Sequence, residues 1–231
     1  MNFSLTSFNV HLNGMHYSKD KYYNLAEVME NYAADINVFQ EIIYSQNEVN
    51  GIFLDKAHNY IFHHLGDYQL PTLVETTPPS VAKPISLLFS TKFPILEHTI
   101  LPLTAYGKHP RKSVLKVTCL IEDKKVDIFA LHLTVGLLPF GSFLQLLECR
   151  KLIDPRRPTI FVGDHNLWDF MVKLILPNTF QQAVNGATWP AKKPLHQIDQ
   201  IFTQGFSTID SKVHNGVGSD HLAISATLSL R

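Results

Sequence analysis

Apolar and polar residues alternate along 3–10 (FSLTSFNV), the period of a strand with one face buried. Tyr22, Leu25, Val28, Met29 and Tyr32 then recur at helical spacing, which predicts a helix over 21–34. The short apolar run 36–40 (INVFQ) reads as a buried strand, so the chain opens strand, helix, strand. Residues 67–84 hold Pro71, Pro78, Pro79 and Pro84 and predict a long surface loop. Further strands are predicted at 85–90, at 111–121 and 125–133 across a charged turn at 122–125, at 158–163, and near 197–203, 206–213 and 222–230. Helices are predicted at 140–153, with Phe143, Leu146, Leu147 and Ile153 on one side, and at 167–176. Strands outnumber helices, and many are apolar on both faces. That pattern favours two packed sheets covered by helices over one open parallel sheet.

The chain has 231 residues, enough to bury a large core, and shows no repeat, low-complexity segment or linker; one domain over 1–231 is expected. Its 45% hydrophobic and 17% charged residues are those of a globular protein. Lys+Arg and Asp+Glu are equal at 20 each, which excludes a bulk positive field but not a local basic groove. Two cysteines, Cys119 and Cys149, make neither a disulfide framework nor a metal-like spacing, so a reducing compartment is expected. The N-terminus reads as a first strand rather than a leader, and no apolar run is long enough to span a membrane. The expectation is a monomeric cytoplasmic protein without membrane insertion, export by a signal-less route remaining open.

Acids, amides and histidines recur at predicted strand ends. Asn9 ends the first strand, Glu41 the second (VFQE) and His132 the strand FALHL. Asp164 and Asn166 follow TIFVG, Asp199 lies in HQIDQIF, and Asp220 and His221 lie in GSDHLAI. Strand ends let a rigid sheet present side chains to one cleft. Carboxylates brought together repel, so they need a cation or their pKa values rise. Carboxylate, amide and water oxygens suit a hard ion such as Mg²⁺.

In chain order, SFNVH, VFQE, ALHL, VGDHN, QIDQIF and GSDHLAI resemble the six signature blocks of the endonuclease/exonuclease/phosphatase superfamily, which includes deoxyribonuclease I. The resemblance runs from Asn9 to His221. STKFPI at 90–95 and ATWPAKKPLHQID resemble weaker blocks of the same family, and Arg111 resembles an arginine that many members aim at the cleft. His165 departs from the usual Phe or Leu of its block, and Lys83, Pro84 and Ile85 replace the usual Gly-Asn-Ala. HL at 132–133, rather than Tyr-x-Pro, points away from abasic-site repair.

The resemblance implies a four-layer α/β/β/α sandwich and a Mg²⁺- or Mn²⁺-dependent hydrolase attacking phosphorus in line with water. It implies Glu41 as principal metal ligand, with Asn9 ligating or orienting beside it and Asp220 near the ion. Asp164 would orient and deprotonate the water, and Asn166 would hold that water or a phosphate oxygen. Asp199 would fix His221, which would hydrogen-bond a non-bridging oxygen. His132 would stabilise the transition state or protonate the leaving group; how it divides this work with His221 stays open. Arg111 would contact the phosphate. His165, His196 and His214 flank the blocks and read as structural, His165 with a second reading as a cleft-lining residue.

Three functions compete. A nuclease acting on DNA or RNA comes first, with Lys108, His109, Arg111, Lys112, Lys192 and Lys193 placed to follow a backbone. A phosphatase or phosphodiesterase acting on lipid headgroups or inositol phosphates comes second, with the apolar stretch Leu137, Leu138, Pro139 and Phe140 to touch lipid. An inactive relative used for binding comes last, because every expected catalytic residue is present.

Overall fold

The computed structural model describes residues 1–11, 32, 34–42, 59–68, 83–106, 112–135, 139–215 and 218–231, with 59–68 and 83–86 described by their backbone alone. Among these residues, twelve strands and two helices form two mixed sheets with helices on one outer face. The first sheet holds β1 (Asn2–Asn9), β2 (Ile36–Ile42), β3 (Asn59–Tyr68), β4 (Lys83–Thr91), β11 (Phe206–Val213) and β12 (Ile224–Leu230), in the order β11-β12-β1-β2-β4-β3. The second holds β5 (Ile95–Pro102), β6 (Ser113–Ile121), β7 (Lys124–His132), β8 (Thr159–Asp164), β9 (Gln181–Gln182) and β10 (Asp199–Gln204), in the order β5-β6-β7-β8-β10-β9. Between β7 and β8 runs α1 (Phe140–Arg150), and α2 (Asp169–Ile175) follows β8.

Each sheet contains one parallel pair, β1 with β2 and β7 with β8; every other pairing is antiparallel. Inward-facing residues alternate along each strand, as the pleat requires. Phe3 and Leu5 of β1, Val38 of β2, Ile128 and Ala130 of β7, Ile160 and Val162 of β8 and Ile201 of β10 meet in one dry core between the sheets. A second core lies between the outer face of the second sheet and the helices. There Phe129 and Phe161 stack at 4.4 Å, and Leu146, Cys149, Val172 and Ile175 cover the face. Burying such side chains contributes about 1.5–3 kcal/mol each. Both cysteines are buried in these cores, and burial pushes both thiols up to about 12.

The predicted strands are present, with ends shifted by a residue or two. The helix predicted over 140–153 stops at Arg150, and Ile153 packs on the outer core from beyond it. The helix predicted over 167–176 is confined to Asp169–Ile175. Three strands have no counterpart in the periodicity: β3, β5 and the two-residue β9. All are edge or next-to-edge elements, and β5 is exposed over most of its length, so no buried face imposed an apolar pattern on it. Part of the predicted 67–84 loop is strand, ending β3 and opening β4. The remainder of that loop lies outside the described residues, as does the 21–34 helix except for Tyr32 and Ala34.

Candidate active site

Follow the inward column of β1 and it reads Phe3, Leu5, Ser7, Asn9, apolar and then polar. The same change occurs along β7 (Ile128, Ala130, His132) and β8 (Ile160, Val162, Asp164). The polar ends of the two parallel pairs lie at one end of the sandwich, where His132 is directly opposite Asp164 and Asn9 is opposite Gln40.

Two backbone features aim the acids. The β2–β4 register breaks between Phe39 and Ile42, and Glu41 sits there with φ 58°. A bulge of this kind turns one side chain out of the regular alternation. Gly163, with φ 135°, comes so close to β7 that a Cβ there would lie 2.1 Å from the Leu131 carbonyl oxygen. Only glycine permits that approach, which sets His132 against Asp164.

The side chains form one connected cluster. The Asn9 amide nitrogen donates to Glu41 Oε1 at 3.2 Å and to Asp164 Oδ2 at 3.0 Å, while its oxygen accepts from the His11 N–H at 2.9 Å. Asn9 therefore faces both acids with its donor and acts as an orienting group in this arrangement. His132 Nε2 lies 3.4 Å from Glu41 Oε1 and 3.9 Å from Asp164 Oδ2. His221 Nδ1 donates to Asp199 Oδ2 at 2.8 Å, and its Nε2 is 3.9 Å from both Asp164 Oδ2 and Asp220 Oδ1. The Asn166 N–H donates to Asp164 Oδ1 at 2.9 Å, and its amide nitrogen donates to the Leu133 carbonyl at 3.1 Å. Eight of the nine expected site residues thus meet; Arg111 lies outside the described residues, with Lys108 and His109.

Residues outside that set complete the cluster. His11 Nδ1 is 3.0 Å from Asp220 Oδ1 and 3.7 Å from Glu41 Oε2. Lys112 Nζ lies 3.4 Å from His132 Nε2. Trp189 Nε1 donates to Asp220 Oδ2 at 3.0 Å. Thr188 Oγ1 accepts from the Asp199 N–H, and Ser219 Oγ donates to the Asn9 carbonyl at 2.7 Å. His11, Trp189 and Ser219 all fall within or beside the recognisable blocks, and only that proximity could have singled them out. His165 is wholly buried, with Nδ1 on the Gly163 carbonyl and its ring edge-on to Phe202, so it packs in the core. His214 binds Ser225 Oγ at 2.8 Å.

Burial and mutual repulsion set the electrostatics. Asp164 is pushed up to about 7, by burial first and by Asp199 in addition, against the pull of His221 and two N–H donors. Burial opposes charge on His221 as well, but Asp199, Asp164 and Asp220 raise it to about 10 and favour the imidazolium. His132 is driven well below its ordinary value by burial, Lys112 and His221, and stays neutral. Burial also lowers Lys112. Asp220 is held near 2: burial is outweighed by its bond to His11 and by the charges of His221 and His11.

The donor set fits a hard divalent ion. The His11 ring, whose pKa is raised by Asp220 and Glu41 in spite of burial, lies within 3.7 Å of both carboxylates. Asp164, Asp199 and His221 also bring possible ligand atoms within 4.8 Å of one another. In that trio the histidine is protonated and already bonded to Asp199, so it reads as a hydrogen-bonded relay.

No family model and no curated protein matches the chain. Solved structures do. An endonuclease/exonuclease/phosphatase from Beutenbergia cavernae superposes with a TM-score of 0.79 at 18% identity, covering 99% of this chain and 72% of that one. The human Nocturnin catalytic domain with bound sulfate gives 0.75 at 14%, covering 100% and 94%. D. rerio TDP2 complexed with single-strand DNA product gives 0.69 at 18%, covering 99% of both chains. The chain is thus similar in fold to endonuclease/exonuclease/phosphatase proteins, as the six sequence blocks imply.

Proposed function

We propose that this protein is a divalent-metal-dependent phosphoesterase that hydrolyses a phosphodiester, with nucleic acid as its substrate. One observation carries the reading: Glu41, Asn9, His132 and Asp164 connect within 3.0–3.9 Å at the ends of two parallel strand pairs from different sheets. Glu41 and Asp220 would hold the ion, with Asn9 orienting Glu41 through its amide. When bound there, a Mg²⁺ or Mn²⁺ ion would supply the positive charge that phosphate and leaving-group oxygens need.

Asp164, with a pKa near neutrality, accepts the proton of the attacking water, the value that suits a general base at pH 7. Asn166 holds Asp164 in place through its N–H. His221, kept positive by Asp199, donates from Nε2 to a non-bridging oxygen. His132, neutral and flanked by Lys112, faces the phosphate from the other side. Nucleic acid as substrate is supported by the likeness to the TDP2 structure that holds a single-strand DNA product.

The test incubates the protein with supercoiled plasmid, single-stranded oligonucleotides and inositol phosphates, in Mg²⁺, Mn²⁺ or EDTA. Metal-dependent cleavage of DNA or RNA is the expected outcome. Release of phosphate from monoesters only, or turnover only on vesicles, replaces it with the lipid-headgroup or inositol-phosphate reading, for which the exposed Phe140 is the supporting feature. No turnover of any substrate leaves a binding protein.

A further inference from the structure

Four rings stand in a row on the surface beside the site. Trp189, whose indole N–H donates to Asp220, lies 6.2 Å from His196 with planes 24° apart. His196 lies 6.1 Å from Trp168 at 34°, and Trp168 lies 5.7 Å from Phe170 at 27°. Trp189, Trp168 and Phe170 are 36%, 42% and 53% exposed, although large aromatic side chains are usually well covered. The backbone fixes the row: Trp189 and His196 pair as a β-bridge, and Trp168 sits two residues beyond Asn166, at the start of α2. Each ring plane is inclined 24–34° to the next along the row.

We infer that this row is a stacking platform for the unpaired bases of a single-stranded nucleic acid whose backbone enters the cleft at Asp220. The inference rests on the phosphodiester reading and names the form of its substrate. Continuity with the site supports it, because the row begins on a residue bonded to a site acid. Three ring-to-ring steps also extend beyond one sugar or one headgroup, while suiting successive bases, each of which offers a flat face. Charge agrees: with Lys+Arg and Asp+Glu equal at 20 each, the chain lacks the field that holds a duplex by its phosphates. Exposed Lys193, between Trp189 and His196 in sequence, supplies a local contact.

The chain's two tryptophans are both in the row, so tryptophan emission reports on it directly. A short oligodeoxythymidylate, added in EDTA so that nothing turns over, should quench that emission saturably, with weak dependence on salt and with higher affinity than a duplex of equal length. Phe170→Ala, which keeps both reporters and removes an exposed side chain, should weaken binding by about 5- to 140-fold, the loss of one stacked base. His196→Ala should weaken it likewise. Unchanged affinity in both variants, equal binding of the duplex, or quenching by phosphatidylserine vesicles and not by the oligonucleotide would each overturn the platform. Because binding is read without turnover, these results are independent of whether the site proves to be a hydrolase.

Discussion

Strands β7 and β8 run side by side with a fully buried carboxylate at each end of the pair, Asp127 opposite Thr159 and Asp164 opposite His132. Asp127 receives the Thr118 hydroxyl at 2.8 Å, Lys116 Nζ at 3.0 Å and Arg157 Nη1 at 3.2 Å. Among the described residues Asp164 receives only amide donors at such distances, from Asn9 and Asn166, and it shares its surroundings with Asp199. The same group at the same depth is thus paired directly with the chain's own cations at one end, while at the other it bonds neutral amides with the His221 ring 3.9 Å away. The first arrangement is structural. The second makes sense for chemistry that brings its own cation and phosphate.

The contrast can be tested by exchanging the expected costs. Asp164→Asn should lower diester hydrolysis by about 10²–10⁴-fold, the value of a general base, without lowering the melting temperature of the metal-free protein. A melting loss as large as that of an Asp127 variant would make the two acids alike. Asp127→Ala should cost about 3–5 kcal/mol in urea unfolding, towards the lower figure because Lys116 and Arg157 are partly exposed and can turn to water. Its rate per folded molecule should match wild type. Mg²⁺ at about a hundred times its Kd should add about 2.7 kcal/mol of stability; Glu41→Gln should lose that gain and Asp127→Ala should keep it.

The smallest effect belongs to Asp35, just before β2 at the end of the strand away from Glu41, paired with Lys92 Nζ at 2.6 Å and accepting from the Ser4 N–H. Its pKa is lowered, since Lys92 and Ser4 outweigh partial burial. A depressed carboxylate contributes stability above its unfolded value, about 3.9, and loses it as pH falls through the lower folded value. Asp35→Asn should therefore lower the melting temperature slightly near neutrality, and the difference from wild type should vanish as pH falls below about 4.

Much of this contrast was legible in the sequence, though unevenly. Asn9, Glu41, His132, Asp164, Asp199 and His221 end or flank strands whose apolar pattern announces them, so their convergence could be anticipated. Asp127 carried no such signal, because a single acid inside an apolar strand has no periodicity and its partners come from β6 and from Arg157. Lys112 precedes β6, where alternation no longer says which way a side chain turns, so its contact with His132 could not be read from the strand pattern. The aromatic row was invisible for a related reason. Trp168 and Trp189 are separated in the chain and joined only by the β-bridge that places His196 between them.

Asp199 stands on β10 of one sheet, while His221 precedes β12 of the other, so their bond crosses the seam between the two halves of the sandwich. Ser219 and Asn9 close the same end, and Glu41 faces His132 across the seam. The cluster is therefore an alignment gauge: a slide of one sheet over the other, too slight to expose the dry interior, pulls these pairs out of reach. Turnover should fade in mild urea while strand content measured by circular dichroism is still intact.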